Sequence, residues 1–201
     1  MALDLSSSNG GDVPMRSPFL LDRRTSGLLI VDVQQKLLPL IENHQRLAWN
    51  IGRLIQGASI LGVPIAGTEQ YPQGIGPTVP KLRELLPRPI AHKLMFSCRE
   101  CTALTRDFRD QDKEQIVVAG IETHVCIQQT ALDFLAQGFQ VFIVIDGVSS
   151  RHELDHNVAL RRMESAGATL TTVESVLFEW CETSACPEFK EISRLVRNQT
   201  N

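Results

Sequence analysis

The chain lacks the features that would assign it to a membrane, to nucleic acid or to the secretory route. It has no apolar run of the roughly 18 residues that a membrane span needs, and its longest runs, such as residues 141–145, suit buried strands. Its formal net charge of −3 gives no electrostatic case for nucleic acid or an anionic membrane. Its five cysteines show no disulfide framework, which favours a reducing compartment and predicts a cytoplasmic protein. We therefore expect its partner to be a small molecule.

The length of 201 residues fits a single domain. Residues 1–24 are rich in Ser, Gly and Pro and carry no apolar signal core, so they are predicted to be a flexible or loosely docked N-terminal arm. Residues 25–201 are predicted to form the folded domain.

Beyond the arm, short β-branched runs alternate with longer amphipathic segments, a pattern typical of βαβ units. Six strands are predicted, at residues 27–32, 63–68, 89–93, 115–119, 141–145 and 169–173, with helices at 43–61, 102–109, 124–137 and 153–166. The predicted fold is a three-layer α/β/α architecture with a six-stranded, mainly parallel, Rossmann-like sheet. Residues 69–89 contain five prolines and two glycines and are predicted to be a long ordered loop at a carboxyl strand end, where open α/β sheets bind ligands.

The segment GIETHVC at residues 120–126 places Cys126 just after an apolar strand and at the start of a predicted helix. The unpaired N–H groups of a helix N-terminus favour thiolate over thiol and can hold a developing oxyanion, so Cys126 is a candidate nucleophile. Cysteine is also among the most buried residue types, and a small core side chain is the alternative interpretation.

Two further polar residues stand at strand ends, and the carboxyl ends of parallel strands meet at one edge of the sheet. Asp32 ends the apolar run of residues 28–31 and is a candidate base for the thiol proton; its alternative role is a helix cap or loop hydrogen-bond acceptor. Lys93 ends the third strand, where it is able to stabilise anions or simply remain solvated.

These residues lie in motifs that resemble those of the isochorismatase-like cysteine hydrolases. The motifs are IVDVQ at residues 30–34, Lys93 followed by Phe96 and Ser97, and GIETHVC at residues 120–126. GTEQYP at residues 67–72, GIGPT at residues 74–78 and DGVSSR at residues 146–151 resemble the subgroup of isochorismatase domain-containing proteins. The resemblance spans most of the chain after Gly27.

The resemblance implies a role for each member of the site. Cys126 is implied as the nucleophile, Asp32 as the general acid and base, and Lys93 as the cation that holds the pair. It further implies a cis peptide bond between Ile121 and Glu122, with the amides of Glu122 and Cys126 forming an oxyanion hole. Relatives of this fold commonly form dimers or larger assemblies, so a homo-oligomer is expected.

Two departures from better-known relatives limit the activity. Nicotinamidases of the family carry a metal site built from an Asp-x-His pair and a further His after the second strand, whereas this chain has Glu69, Gln70 and Tyr71 there and no histidine from that point to His92. We therefore expect no metal, no cofactor and no nicotinamidase activity. Isochorismate-cleaving relatives act on a vinyl ether and need no thiol, so Cys126 favours acyl chemistry instead.

Four more residues are candidates for substrate binding, namely Gln34, Tyr71, Phe96 and His124. Three of them have a plainer alternative: a loop contact for Gln34, a core aromatic for Phe96 and a solvent-facing side chain for His124. Cys98 and Cys101 form a C-x-x-C pair without a second pair at zinc-ribbon spacing, which argues against metal binding. Phe178 and Trp180 are interpreted as exposed or interface aromatics.

The leading hypothesis is a hydrolase that cleaves a C–N bond of an amide-type small molecule through a thioester on Cys126. The alternative is a catalytically silent protein that keeps the fold as a binding or scaffolding partner. A redox-sensing thiol is a third possibility, for which no resolving cysteine lies adjacent to Cys126 in the sequence.

Overall fold

The computed structural model describes residues 15–197, which form six strands and eight α-helices. The strands are β1 (Ser26–Val31), β2 (Ile65–Gln70), β3 (Ala91–Lys93), β4 (Gln115–Ile121), β5 (Gln140–Ser149) and β6 (Thr169–Thr171). The helices are α1 (His44–Ile60), α2 (Pro72–Ile75), α3 (Pro80–Arg83), α4 (Thr102–Asp110), α5 (Gln128–Ala136), α6 (Glu153–Ser165), α7 (Val173–Cys181) and α8 (Phe189–Arg197). Each predicted strand overlaps an observed one.

All neighbouring strands are parallel, in the order β3-β2-β1-β4-β5-β6, which confirms the predicted fold class. The chain runs from β1 outward to β2 and β3 on one side, and then returns to place β4 on the other side of β1. The strand order therefore reverses between β1 and β4, and ligands of open α/β sheets bind at the carboxyl ends of the strands beside such a reversal.

The sheet is covered on both faces because successive strand residues point in opposite directions. In β1, Leu28 and Ile30 belong to one core cluster, which contains residues of α1, α7 and α8. Leu29 and Val31 belong to the other, which contains residues of α4, α5 and α6. Burial on both faces explains why β1 reads as a continuous apolar run.

Gly120 allows β1 and β4 to approach closely beside the site. Its φ is +130°, a backbone conformation that residues with a β-carbon rarely adopt. A β-carbon at this position would lie 2.1 Å from the carbonyl oxygen of Val31. Any larger residue at position 120 must push β4 away from β1.

The proline-rich segment between β2 and β3 is ordered, as expected, but it is not a loop throughout. It contains the short helices α2 and α3, each of which begins at a proline, where the missing N–H costs nothing. The buried Glu69 carboxylate fixes the segment by accepting hydrogen bonds from the amide and hydroxyl of Thr78, at 2.7 and 2.8 Å.

The C-terminal region departs from the sequence expectations. Helices α7 and α8 were not predicted, and Val173, assigned to a strand, begins α7. Trp180 is only 1% exposed and lies in the core, so its interpretation as an exposed or interface aromatic was wrong. The reason is that α7 packs its apolar face against α1, whereas Phe178 on the same helix stays 39% exposed.

Most of the predicted N-terminal arm, residues 1–14, lies outside the described residues. The rest of it is docked on the domain: Leu21 is fully buried, and its amide donates to the carboxylate of Glu179 at 2.8 Å. The Arg16 guanidinium donates to the carbonyls of Leu21 and Glu179. Within residues 15–197, no helix has the length and apolar character needed to cross a membrane.

Candidate active site

The three predicted catalytic residues converge at the carboxyl edge of the sheet. Asp32 directly follows β1, Lys93 is the last residue of β3, and Cys126 lies in a single π-helical turn, Thr123–Ile127, between β4 and α5. The side chains of Asp32 and Lys93 are fully buried, and Cys126 is 6% exposed. The site therefore stands beside the strand-order reversal.

Lys93 is held by acceptors on every side of its ammonium group. Its Nζ lies 2.6 Å from Oδ2 of Asp32 and 2.8 Å from Oε1 of Gln70. It also donates to the carbonyl oxygens of Phe96 at 2.9 Å and Met95 at 3.3 Å. Burial disfavours the charged form, but Asp32, Cys126 and Cys98 together outweigh it, so the pKa of Lys93 is raised. The pair is an ion pair at neutral pH, and Lys93 is not a solvated strand-end lysine.

Asp32 has both carboxylate oxygens engaged. Oδ2 pairs with Lys93, and Oδ1 accepts a hydrogen bond from the hydroxyl of Thr68 at 2.8 Å. Its φ of 54° lies in the left-handed region, where Asp and Asn are tolerated better than most residues. The backbone and the partners together fix this carboxylate in one orientation.

Cys126 carries a protonated thiol in the resting site. Burial and then the negative charge of Asp32 raise the pKa of Cys126 far above its ordinary value, and Lys93 offsets this only in part. This differs from the sequence expectation that the helix N-terminus favours the thiolate. The desolvation of a nearly buried sulfur is the larger effect here, so the thiolate is scarce at neutral pH and becomes more abundant when the pKa of the thiol falls.

Cys98 is a site residue that the sequence reasoning missed. It is fully buried, its sulfur lies 3.8 Å from the Thr68 hydroxyl, and burial raises the pKa of its thiol to about 12. The charge of Asp32 also raises the pKa of Cys98 and the charge of Lys93 lowers it, and Cys98 in turn raises the pKa of Cys126. The C-x-x-C spacing of Cys98 and Cys101 raises the question of metal binding. Within residues 15–197, no group of three His, Cys, Asp or Glu side chains is arranged to hold a metal ion.

The backbone that precedes Cys126 has the conformation that the family resemblance implies. The peptide bond between Ile121 and Glu122 is cis. The Glu122 carbonyl accepts hydrogen bonds from the amides of Val125, at 3.1 Å, and Ile127, at 3.2 Å, which flank the amide of Cys126. The assignment of the Glu122 and Cys126 amides to an oxyanion hole stays a prediction.

Three consecutive side chains bind this turn to the end of β5 and the start of α6. Glu122 accepts hydrogen bonds from the amide of Arg151 at 2.9 Å and from its guanidinium Nε at 3.1 Å. A hydrogen bond of 2.9 Å joins the Thr123 hydroxyl to Nδ1 of His156. Burial lowers the pKa of His156, so its ring is neutral at pH 7.

The third of these side chains is His124, a predicted substrate-binding residue. Its Nδ1 lies 3.0 Å from the Ser150 hydroxyl and its Nε2 lies 3.9 Å from the Asp155 carboxylate. His124 therefore contacts the residues after β5 and is not simply solvent-facing. We call the whole arrangement of Glu122, Thr123 and His124 with residues 150–156 the nucleophile clamp.

The other three predicted substrate-binding residues lie around β2 and β3. Gln34 is fully buried and uses its amide on the backbone: Nε2 donates to the carbonyls of Gln70 and Gly76, and Oε1 accepts from the Gln70 amide. Tyr71 directly follows β2 and is 50% exposed. Phe96 is 52% exposed, so it is not a core aromatic. Contact of any of these side chains with a substrate stays a prediction.

Two clefts are lined by residues that touch the site. One, of about 310 Å³, has Ser150, Arg151 and His156 of the nucleophile clamp in its wall. The other, of about 460 Å³, is lined in part by Leu94, Met95 and Phe96. The wall of each cleft contains charged as well as apolar side chains, and neither wall includes Asp32, Lys93 or Cys126. The thiol, which is 6% exposed, therefore lies outside both walls.

The electrostatics of Cys126 predict opposite effects for its two charged neighbours. Asp32→Asn removes a negative charge that raises the pKa of the thiol, so iodoacetamide should alkylate Cys126 faster at a given pH below the thiol pKa. Lys93→Met removes the charge that lowers this pKa, and alkylation should slow. The measurement is the pH dependence of labelling at each cysteine, read by peptide mass spectrometry with Cys186 as the control. A shift of both variants in the same direction would contradict this description of the site.

Comparison with known proteins identifies the family of the chain. The family model described as Isochorismatase domain matches residues 26–175, a range that contains Asp32, Lys93 and Cys126. A curated relative, isochorismatase domain-containing protein 2A of Mus musculus, is 40% identical over 173 residues, which cover 86% of this chain and 83% of the relative.

Two solved structures have the same fold over most of their length. The MAR1 ribonuclease of Caenorhabditis elegans matches with a TM-score of 0.84 and 38% identity, over 90% of this chain and 94% of that chain. The YcaC gene product of Escherichia coli, an octameric hydrolase of unknown specificity, matches with a TM-score of 0.83 and 26% identity, over 90% of this chain and 91% of that chain.

Proposed function

Given that the chain belongs to the isochorismatase family, we propose that it hydrolyses a C–N bond of a small amide-type substrate through a thioester on Cys126. The observation that carries this proposal is the buried Asp32–Lys93 ion pair, 2.6 Å between the charged atoms, whose field acts directly on a buried thiol. A protein that only binds a partner through its surface has no need to bury these charges, because their desolvation is costly.

In the first half of the proposed reaction, the Cys126 sulfur attacks the carbonyl carbon while Asp32 takes the thiol proton. Lys93 keeps Asp32 charged and able to accept that proton, because the ammonium at 2.6 Å stabilises the carboxylate. The amides of Glu122 and Cys126 then donate to the developing oxyanion. Collapse of this intermediate expels the amine, which receives the proton from Asp32, and leaves an acyl group on Cys126.

In the second half, water attacks the thioester and Asp32 takes the proton of that water. The thioester breaks, the thiolate recovers the proton from Asp32, and the carboxylic acid leaves. Atoms and charges balance: one amide and one water become one amine and one acid. These steps draw on Asp32, Lys93, Cys126 and two backbone amides. Glu69 is near the end of β2, beside the strand of Lys93, but its carboxylate is already engaged by Thr78 and by His92, which lies 3.3 Å away.

The experiment that tests the function is a panel of small primary amides and carbamoylated amines, assayed for ammonia or amine release. Active compounds should also give a transient acyl mass on Cys126 in the quenched protein, since the proposal requires a thioester. Failure of every amide together with specific capture of a protein partner would favour the scaffolding alternative instead.

RNA cleavage is the competing activity, because the similar C. elegans protein is named a ribonuclease. The net charge of −3 of this chain does not favour polyanion binding. Wild type and Cys126→Ala should therefore leave a single-stranded RNA equally intact in the same buffer as the amide assay. Loss of RNA with wild type alone would replace the amide proposal with nuclease chemistry at the same thiol.

The same proposal includes a homo-oligomer in which a second copy covers the loop after Lys93. Leu94, Met95 and Phe96 are 69%, 41% and 52% exposed, an unusual cluster of apolar side chains beside a buried site. The similar E. coli protein is octameric. The carbonyls of Met95 and Phe96 bind the Lys93 ammonium, so an interface on this loop would also fix the catalytic lysine.

A cytoplasmic location is part of the same proposal. It is supported by the five free cysteines of the chain, because a reducing compartment keeps cysteines free.

Phe96→Ser is expected to weaken or abolish this assembly, because it removes a large apolar contact without touching the core. Light scattering after size exclusion should give a lower mass for this variant than for wild type. Phe19→Ser is the matched control, since Phe19 is 85% exposed and lies in the N-terminal region, and it should leave the mass unchanged. An unchanged mass for Phe96→Ser, or a monomeric wild type, would overturn the proposed interface.

A further inference from the structure

A second group of thiols lies far along the chain from Cys126. Cys181 is the last residue of α7, and two residues separate Cys186 from the start of α8. They are 4% and 9% exposed and belong to the same core cluster, and the nearby Cys186 adds to burial in raising the pKa of the Cys181 thiol. The proposed hydrolysis uses neither sulfur.

The turn between the two cysteines is folded tightly enough to bring them together. Glu182, which directly follows α7, has a positive φ of 63°. The amide of Thr183 donates to the Cys181 carbonyl at 2.7 Å. The amide of Cys186 donates in turn to the Thr183 carbonyl at 3.1 Å. These backbone hydrogen bonds hold Cys181 and Cys186 close to each other in the reduced protein.

A carboxylate and a guanidinium lie beside the Cys186 sulfur. Its thiol donates a hydrogen bond to the Glu188 carboxylate, which provides an acceptor for the thiol proton. The Arg23 guanidinium lies 3.9 Å from the Cys186 sulfur and 3.3 Å from Glu188. A base and a cation beside one sulfur are the features that make a cysteine reactive.

Cys181 is placed differently. Burial raises the pKa of its thiol to about 11, so it remains protonated at neutral pH. The two cysteines are therefore unequal: Cys186 has a proton acceptor and a cation beside its sulfur, whereas the Cys181 thiol donates to the Thr183 carbonyl at 3.7 Å. That inequality is typical of an attacking and a resolving cysteine.

We propose that Cys181 and Cys186 form a site of reversible oxidation by hydroperoxides, in which Cys186 is attacked first and an intramolecular disulfide to Cys181 follows. The inference is independent of the proposed hydrolysis, since it involves neither Cys126 nor its partners. It also differs from a redox role for Cys126, for which the sequence offered no adjacent resolving cysteine.

The reaction balances with one hydroperoxide as the oxidant. The Cys186 sulfur attacks one peroxide oxygen, its proton passes by way of Glu188 to the departing hydroxide or alkoxide, and water or an alcohol leaves. Cys186 is then a sulfenic acid. The Cys181 sulfur attacks the Cys186 sulfur and displaces hydroxide, which takes the Cys181 proton and leaves as water. Two thiols lose two electrons and two protons in total, and thiol reductants reverse the change.

The test uses the full-length chain with Cys126→Ala as the background, so that oxidation at the hydrolytic site does not interfere. The protein is exposed to hydrogen peroxide, blocked with iodoacetamide and digested with trypsin. Since no Lys or Arg lies between residues 181 and 186, one peptide contains both cysteines. We expect this peptide to appear unalkylated and lighter by two hydrogen atoms, and to regain two alkyl groups after reduction.

Three variants assign the roles of the residues. Cys186→Ser should abolish oxidation of the peptide, Cys181→Ser should leave a sulfenic acid on Cys186 that dimedone traps, and Glu188→Gln should slow the reaction by about tenfold. Cys98 and Cys101 fall in other peptides and serve as internal controls. Complete alkylation of both cysteines after peroxide treatment of the otherwise wild-type peptide would overturn the proposal, as would a disulfide to any other cysteine.

Discussion

Cys126→Ala is expected to abolish amide hydrolysis, with a fall in kcat of about 10⁴-fold or more for any compound that wild type turns over. The reason is that every proposed step passes through a covalent bond to this sulfur. Asp32 and Lys93 remain in place in the variant, but water alone then has to attack an unactivated amide. Cys126→Ser should be nearly as inactive, because a serine hydroxyl is a weaker acid than a thiol and Asp32 is a weak base for it.

The measurement for Cys126→Ala is amine release under saturating substrate, paired with the mass of the quenched protein. The variant should show neither released amine nor an acyl adduct, while its melting temperature stays close to that of wild type. Cys101→Ala is a suitable control: it also removes a buried thiol, from a neighbouring element, and should retain turnover. Turnover by Cys126→Ala at the wild-type rate would refute the nucleophile assignment.

Lys93→Met is expected to lower the free energy of unfolding by about 3–5 kcal/mol at neutral pH. Methionine has nearly the length of lysine, so the packing volume is kept and the charge is what is lost. The variant leaves the Asp32 carboxylate fully buried without a cation, although the Thr68 hydroxyl still donates to it. An uncompensated buried charge costs more than the ion pair itself contributes, which is why the loss should be large.

A double-mutant cycle separates this effect from a simple packing defect. Asp32→Asn suits position 32 because Asn also tolerates the left-handed backbone there. Lys93→Met combined with Asp32→Asn should be less destabilised than the sum of the two single variants, as measured by urea or thermal unfolding. Strict additivity would mean that the two side chains, although 2.6 Å apart, do not stabilise each other.

The elements of the fold were predictable where their sequence pattern depends on burial alone. Strands β1, β4 and β5 are apolar because both sheet faces are covered, and Asp32 was visible as the first polar residue after such a run. The end of β6 was harder, since residues 169–173 are β-branched or apolar without a break. Only packing on α1 decides where the helix begins.

The candidate site was predictable in its members but not in its chemistry. Motif and strand-end position identified Asp32, Lys93 and Cys126, and their roles remain predictions. The protonated state of Cys126 depends on how completely the sulfur is desolvated, a quantity that exists only in the folded chain. Cys98 gave no useful signal, because its place beside Thr68 results from the path of the backbone after β3 and not from any spacing in the sequence.

The nucleophile clamp also limits which loops of the protein can be exchanged by engineering. Surface loops at the carboxyl ends of strands are the usual targets when a new substrate preference is grafted onto an α/β enzyme. In this chain residues 150–156 are unsuitable for such exchange, because Arg151 and His156 hold the turn that carries the thiol. A graft there would alter reactivity together with selectivity, whereas Leu94, Met95 and Phe96 offer side chains that can vary while their carbonyls keep Lys93 in place.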